Sequence, residues 1–390
     1  MKKNKTVCMI SCRHNLLDDR IYKKQALTLA RNGYELIHIG YGDTNKDYYT
    51  EDIIRLIQIE KKTKGKTLKT AYQALKQSFQ TDLFQTAKSV KADIYHLHDV
   101  ELCRIALKLK KLPWMPKVIY DAHEPYYERL LDYWRERSFA QIFLMDIPAL
   151  IAEKNILKKV DYLIATEENI AARFKKKNPN SSVVYNYSYF YPDNYVNESQ
   201  EKEYDAVYCG GIFESKGIFE IFAALVETKK RGLEYKVVFV GDTNINSISK
   251  NKIERIIREN NLDENVNFTG NLPFEDVAEY YKKSKVGFCI FPSSRVNKLI
   301  LPIKVFEYPA FGLPVIGSNF GHIKNIVEEN NIGITVNPAN AKEVADALIH
   351  LVEDDNYRKY YQSCVSCVKN KYMWNNQEEN LLSIYRNLKL

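Results

Sequence analysis

Leu301–Gly321 reads LPIKVFEYPAFGLPVIGSNFG. Two charged residues, Lys304 and Glu307, sit in a short segment opened by Pro302 and closed by Gly312 and Pro314, and an apolar strand follows at once. Pro302 suits the first position of a helix, because its ring fixes φ and its missing N–H has no intrahelical partner to lose. The segment therefore reads as a short helix whose tip faces a ligand. The N–H groups of Ile303, Lys304 and Val305 open toward an anion, and Lys304 adds a positive charge. Glu307, one turn further in, is placed to accept two hydrogen bonds from a vicinal diol such as that of ribose. An anion at the tip and a diol one turn on is the outline of a nucleotide diphosphate. The competing readings are a solvated helix carboxylate for Glu307 and a surface lysine for Lys304.

The same strand-then-helix grammar runs through the chain. KTVCMISC reads as a strand and RIYKKQALTLARNG as a helix, with Tyr22, Ala26, Leu29 and Ala30 on one face and Gly33 as its stop. YELIHIGYG, DIYHLH, KVIYDAH and DYLIAT follow as strands separated by helical stretches. The rhythm breaks at Tyr187–Glu203, which is polar, turn-rich and without period. A second series then begins: DAVYCGG, YKVVFVG, NVNFTG, KVGFCIFP, LPVIGSN and GITVNP. Such alternation predicts two α/β domains with parallel, doubly wound sheets. The expected boundaries are 1–190 for the first domain, 191–371 for the second and 372–390 for a last helix. Ligands in open α/β sheets bind beyond the carboxyl ends of the strands, so the two domains are expected to face a central cleft, with functional residues just after strands.

A chain of 390 residues exceeds one ordinary hydrophobic core, and its 45% hydrophobic content excludes a disordered protein. No run approaches the roughly 20 apolar residues of a membrane span. The N-terminus, MKKNKTVCMISCRHN, reads as a first strand rather than a signal peptide, and the expected location is the cytoplasm. The seven cysteines are an odd, scattered set that suits reduced structural thiols, and the Cys364–Cys367 pair has no neighbouring ligands that would complete a zinc site. Net charge is +8 and unevenly spread: Lys61–Lys91 holds eight lysines against one acid, Asp82. This patch reads either as a solvated helix face or as a surface that meets anionic lipid or an anionic acceptor. Without interleaved arginines and aromatics it does not read as a nucleic-acid platform.

CGGIFESKG, after a strand and opening a helix, gives a second candidate loop. Gly210 and Gly211 allow close backbone approach, and Lys216 with Gly217 stands at a helix N-terminus, where the dipole favours phosphate. In the first half, His96 and His98 lie two apart on a strand and so share a face. With Asp99 they suggest a metal cluster, but no third ligand stands at a suitable spacing, and lining of a ligand site by His98 and Asp99 is the preferred reading.

LPIKVFEYPAFGLPVIGSNFG, with YCGGIFESKG before it and GITVNPANAKEVADALIHLVED after it, resembles the donor domain of family 4 retaining glycosyltransferases of GT-B fold. DDRIYKKQALTLARNGYEL, ADIYHLHDVEL and KVIYDAHEPYYE resemble the acceptor-side segments of a subgroup that builds bacterial polysaccharides, and YMWNNQEENLLSIYRNL resembles the last helix that crosses back to the first domain. The resemblance covers most of the chain in the right order. It implies α/β GT-B architecture: two Rossmann-like domains facing a central cleft. It also implies that Glu307 holds the ribose, Lys216 the diphosphate, and that His123 stands beside the donor sugar. Gly210, Gly211, Ile303, Lys304 and Val305 complete the donor side, with Asn271 and Leu272 where backbone holds the base. Asp19, Arg20, His98, Asp99 and Glu124 would line the acceptor side.

The implied partners are a UDP- or GDP-linked sugar, a glycan or lipid-linked acceptor and an anionic membrane surface at the inner face of the plasma membrane. Nucleic acid is not among them, and neither a metal nor another cofactor is expected. The sequence departs from the family at two places: Leu299 stands where the first of two glutamates is common, and Gly211 where an arginine is common. Other readings are a GT-B nucleotide-sugar 2-epimerase and a non-catalytic nucleotide-sugar binding subunit.

Overall fold

The computed structural model describes residues 4–61, 80–134, 139, 142–189, 201–242, 247–364, 368 and 371–388. Lys62, Lys64, Lys66, Lys69 and Lys76 of the lysine-rich stretch, and Cys367, lie outside the described residues. The chain divides into two units, Met1–Asn186 with Asn376–Leu390, and Tyr187–Asn375.

The first unit is built on eight strands: β1 (Thr6–Ile10), β2 (Glu35–Gly42), β3 (Lys46–Tyr49), β4 (Arg55–Glu60), β5 (Ile94–Leu97), β6 (Lys117–Ala122), β7 (Tyr162–Ala165) and β8 (Ser181–Val183). Their spatial order is β3-β4-β2-β1-β5-β6-β7-β8, parallel except for the β3–β4 hairpin. The chain winds outward from β1 to one edge and then returns to β5 on its other side. The switch point therefore lies between β1 and β5, and ligand sites in such sheets open beyond the carboxyl ends of the strands there. The segment after β1 is not an ordinary helix: Asp19–Ala26 is π-helical and runs into an α-helix at Leu27–Arg31. π-Helical turns are rare and concentrate at functional sites. Asp18 caps it, its carboxylate accepting from the N–H groups of Arg20 and Ile21. The C-terminal helix Asn375–Asn387 packs on this unit with Leu381, Ile384 and Tyr385 buried, and Glu378 accepts from Thr28 Oγ1 at 3.1 Å.

The second unit has six parallel strands: β9 (Tyr204–Cys209), β10 (Val237–Val240), β11 (Val266–Gly270), β12 (Ser284–Cys289), β13 (Val315–Ser318) and β14 (Gly333–Val336). The order β11-β10-β9-β12-β13-β14 is the doubly wound pattern, with its switch point between β9 and β12. Its central strands are buried on both faces and read as apolar runs: every residue of VVFV in β10 is buried. Phe239 stacks on Phe222 of helix Ile218–Lys230 at 5.3 Å and on Phe268 of β11 at 5.1 Å. Both switch points carry the residues singled out in the sequence.

Candidate functional site

In the first unit a buried charged cluster forms beyond β5 and β6. Asp121, the penultimate residue of β6, is fully buried, and Arg20 from the π-helix donates through Nη2 to both its oxygens at 3.0 Å. Arg20 Nη1 donates to the Val184 carbonyl at 2.9 Å and Gln25 Nε2 to Asp121 at 2.7 Å. The π-helix thus delivers Arg20 and Gln25 to one carboxylate. Burial opposes the charge of Asp121, but Arg20 and then His123 and His96 outweigh it and hold its pKa at about 2. Three imidazoles surround the same oxygen: His96 Nε2, His98 Nδ1 and His123 Nε2 each lie 3.7 Å from Asp121 Oδ2. His98 and His123 also share a hydrogen bond at 3.2 Å, while His96 Nδ1 meets the Tyr385 hydroxyl at 2.7 Å. Burial brings the pKa of His123 down to about 4 and that of His96 to about 3, and pushes His98 down as well. All three are therefore neutral at pH 7.

A cavity of about 210 Å³ opens on this cluster, lined among others by Arg13, His14, His98, Asp99, His123 and Glu124. Asp99 accepts from the N–H groups of Cys12 at 2.6 Å and Arg13 at 3.0 Å, fixing the loop after β1. Arg13 pairs with Glu101, and Arg129 with Glu124. His14 stands between Asp18 at 3.2 Å and Asp99 at 3.4 Å. Burial disfavours its charge, but those carboxylates outweigh it and raise its pKa. The cavity is thus lined by the neutral His98–His123 pair and by His14 between its two carboxylates, with paired arginines around them. Ligand atoms of His96, His98 and Asp121 lie within 4.8 Å of one another, as do those of Cys12, Asp99 and Glu101. Asp121 is thus the third ligand that the sequence did not offer. It already holds a guanidinium, however, and Asp99 and Glu101 hold two amides and Arg13.

In the second unit, the loop after β9 and the segment after β12 meet. Lys304 is buried, 7% exposed, and among the described residues its Nζ has no hydrogen-bond partner; it lies 3.8 Å from the ring centroid of Tyr208. Gly210 gives it room: a Cβ there would stand 3.3 Å from that Nζ, and the φ of 132° is one that side chains rarely adopt. Gly217 (φ 84°) lets helix Ile218–Lys230 start against the strand end, since a Cβ would lie 2.1 Å from the Ile290 carbonyl. The 3-10 turn Glu214–Lys216 is tied to the segment after β12 by Asn297, whose Nδ2 donates to the Pro292 carbonyl at 2.9 Å and to that of Ser215 at 3.4 Å. Lys216 Nζ lies 5.7 Å from the Phe291 ring.

Glu307 is buried, 8% exposed, and accepts from the Tyr281 hydroxyl at 2.9 Å, so it is not a solvated helix carboxylate. The helix itself is Lys304–Ala310, starting two residues later than Pro302 implies. The Val305 N–H closes a turn on the Pro302 carbonyl at 3.1 Å and is not open to an anion. Asn271 and Leu272 follow β11 as expected, Asn271 exposed and Leu272 partly so.

Residues 193–365 match the family described as glycosyl transferases group 1. The second unit matches that family. α-D-Kanosaminyltransferase of Streptomyces kanamyceticus is 24% identical over 185 residues, 47% of this chain and 46% of that protein, so the chain spans about half the length of this curated relative. Among solved structures, sucrose-phosphate synthase of Thermosynechococcus elongatus matches with TM-score 0.75 at 18% identity, covering 99% of both chains. Anabaena HepE in complex with UDP and glucose matches with TM-score 0.71 at 13% identity, covering 99% of this chain and 100% of that one. These likenesses show the fold, which is GT-B with two Rossmann-like units.

The structure gathers His98, Asp99, His123, Glu124 and Arg20 in the first unit, and Gly210, Lys216, Lys304 and Glu307 in the second. Asp19 stands apart: its carboxylate is half exposed and pairs with Lys24 at 2.5 Å, while its neighbour Asp18 faces His14. Sequence reasoning missed Asp121, His14, Asp18, Gln25, Tyr208 and Phe291. An aspartate inside the apolar run KVIYDA was the available signal for the first, because a charge buried in a strand needs a partner. Gly211 also has a local reason, since a Cβ there would stand 2.3 Å from Phe213 Cε2.

Proposed function

We propose that this protein is a retaining glycosyltransferase that moves a sugar from a nucleotide diphosphate sugar, UDP- or GDP-linked, to a hydroxyl of a lipid-linked glycan acceptor in surface polysaccharide synthesis. The observation that carries the donor half is the buried Lys304 ammonium, without a hydrogen-bond partner among the described residues, beside Gly210 and one helical turn before Glu307. A buried cation of this kind is costly until an anion meets it. In this reading the diphosphate lies between Lys304 and Lys216 and the ribose diol on Glu307.

The anomeric carbon–oxygen bond to the diphosphate breaks as the acceptor hydroxyl attacks the same face, and the leaving phosphate oxygen takes the hydroxyl proton. Negative charge grows on the diphosphate in that transition state, and the two ammonium groups stabilise it. No metal is needed in this scheme. The neutral His98–His123 pair lines the acceptor cavity, where it can hydrogen-bond sugar hydroxyls without a charge to desolvate. HepE, of the same fold, is seen with UDP and glucose, which supports a nucleotide-sugar donor here.

The reading also places the enzyme at the cytoplasmic face of an anionic membrane, supported by an exposed apolar and basic face on the first unit. Among the described residues no helix is long and apolar enough to cross a membrane.

A thermal-shift screen of nucleotide diphosphates and their sugars, followed by release of nucleotide diphosphate from the stabilising donor, tests the proposal. Stabilisation with slow donor hydrolysis supports it. Tight binding with no turnover, with or without acceptor, would leave a binding subunit, and Leu299 in place of an acid would then be its explanation.

A further inference from the structure

Lys304 and Lys216 bring two positive charges to one place, and the neighbours that stand out are rings. Lys304 Nζ lies 3.8 Å from the Tyr208 centroid and 5.2 Å from that of Phe291; Lys216 Nζ lies 5.7 Å from the same Phe291 ring. Burial, with the Lys216 charge adding to it, brings the pKa of Lys304 down to about 8. Both rings are themselves held. Tyr208, in β9, is fully buried and donates its hydroxyl to the Gly211 carbonyl at 3.0 Å. Phe291, two residues beyond β12, donates its N–H to Ser318 Oγ at 2.8 Å. The two rings thus stand at the ends of the adjacent strands that form the switch point.

We propose that Tyr208 and Phe291 are positioning residues: their ring faces keep the Lys304 and Lys216 ammonium groups aimed at one shared anion, the diphosphate of a nucleoside diphosphate. The inference rests on the donor-site reading above. A carboxylate in place of the Tyr208 ring would compensate Lys304 more strongly, but it would compete with the phosphate and cancel the charge the reaction uses. A ring face attracts a cation through its quadrupole without neutralising it. The Lys304 charge therefore stays available to the ligand, in a site already arranged before the ligand arrives. Gly210 belongs to the same arrangement, because a side chain there would press on Nζ and on the Tyr208 hydroxyl, 3.3 and 3.6 Å from the added Cβ.

The test is a calorimetric titration of the full chain with inorganic pyrophosphate and with UDP from about pH 6.5 to about pH 9.5, spanning the lysine titration. The parent protein, Tyr208→Phe, Tyr208→Leu and Phe291→Leu are compared. Parent affinity for pyrophosphate fades as pH rises through about 8, because the Lys304 ammonium loses its proton. Tyr208→Phe keeps the ring and stays within about twofold of the parent with the same pH midpoint. Tyr208→Leu and Phe291→Leu each lose about tenfold, the size of a desolvated cation–ring contact. In Tyr208→Leu the fade also moves to lower pH, because the charged form has lost its partner.

Parent affinity and an unmoved midpoint in folded leucine variants overturn the proposal. If Tyr208→Leu does not fold, Phe291→Leu decides alone. If the parent binds UDP at some pH but the leucine variants match it, the positioning role falls while the donor reading stands. If the parent binds neither probe at any pH, and GDP no better, the donor reading falls and takes this inference with it.

Discussion

Arg20 Nη2 donates to both carboxylate oxygens of Asp121 at 3.0 Å, and the two side chains are 4% and 0% exposed. The pair joins a π-helix to the end of a central strand, and three histidines gather around it. Removing one partner of a buried ion pair is costly because the other charge is left uncompensated. Asp121→Asn is therefore expected to destabilise the first unit by about 3–5 kcal/mol. Urea denaturation followed by circular dichroism checks this, and a change below about 1 kcal/mol, the size of an exposed pair, would count against the assignment.

The buried histidines set an acid limit on stability. His96, at a pKa of about 3, and His38 and His123, at about 4, are held below the ordinary 6.5 by burial. As pH falls below 6.5 the unfolded chain takes up protons that the folded chain refuses, so stability drops until the folded values are reached. Each histidine adds a slope of up to ~1.4 kcal/mol per pH unit over that window. Asp121, depressed to about 2, extends the loss below pH 4. His14, whose pKa is raised, works in the opposite sense, and its contribution is lost as pH rises through its folded value. His98 is pushed down in the same direction, so with four against one the net expectation is a urea midpoint that falls steeply between about pH 6.5 and about pH 4. A flat midpoint across that window would mean that these imidazoles are charged in the folded protein.

How much of this was legible follows from which signals are local. The strands announced themselves because parallel strands buried on both faces are continuous apolar runs, as in VVFV and VIGS. β3, β4 and β8 did not: KDYY is fully exposed, RLIQIE fully buries only Leu56, and SSV is a three-residue edge, so none carries a clear pattern of burial. Glu307 and Lys304 were legible from Pro302 and their spacing, but their burial was not, since it depends on Tyr281, Tyr208 and Phe291 arriving from elsewhere in the chain. The π-helical turn was invisible because its apolar spacing is also helical. It nevertheless decides that Arg20 and Gln25, rather than Asp19, face Asp121.

Glu307→Ala is expected to weaken nucleotide diphosphate binding by about 1.5–3 kcal/mol, the range for hydrogen bonds to a charged group. Tyr281→Phe separates two causes of such a loss. It removes the 2.9 Å hydrogen bond to Glu307 Oε2 and leaves the carboxylate in place, so its effect should be well under that of Glu307→Ala. Calorimetry with UDP against 2′-deoxy-UDP gives the deciding comparison. Equal discrimination between the two nucleotides by the parent and by Glu307→Ala would remove Glu307 from the ribose.

His123→Ala is expected to leave nucleotide affinity within about twofold and to cut sugar transfer by about 10²–10⁴, the range for a lost group that acts on the reacting proton or positions it. Its partner His98 gives a control. His98 touches His123 at 3.2 Å, and His98→Gln keeps a hydrogen-bonding group there, so it should lose less. Transfer at the parent rate by His123→Ala would make both histidines structural.

The last expectation concerns the membrane. Helix Tyr126–Tyr133 presents Tyr127 and Leu131 to solvent, with Trp134 just beyond it, at the i, i+4, i+7 spacing of one face. Phe139, Phe143 and Ile151 are exposed a little further on, with the Phe139 and Phe143 rings 4.2 Å apart. Tyr126, next to Tyr127, is buried and donates to Asp146 at 2.7 Å. Two acids of this stretch turn inward: Asp146, and Glu153, which is buried and accepts from Tyr120 at 2.9 Å. Lys154, Lys158 and Lys159 stay exposed. Apolar rings with an outward excess of lysine match the headgroup region of an anionic bilayer, where each lysine contributes about 1 kcal/mol. Co-sedimentation with phosphatidylglycerol vesicles at low salt should therefore recover the protein, with much less recovered on phosphatidylcholine. Phe143→Ser with Ile151→Asn should reduce binding at all salt concentrations, because the apolar contact is not screened. Lys154→Gln, Lys158→Gln and Lys159→Gln together should reduce it mainly at low salt, within reach of the Debye length. If both sets bind like the parent, the attachment lies elsewhere. If the parent binds neither vesicle, the membrane claim fails and the donor-binding experiments stand unaffected.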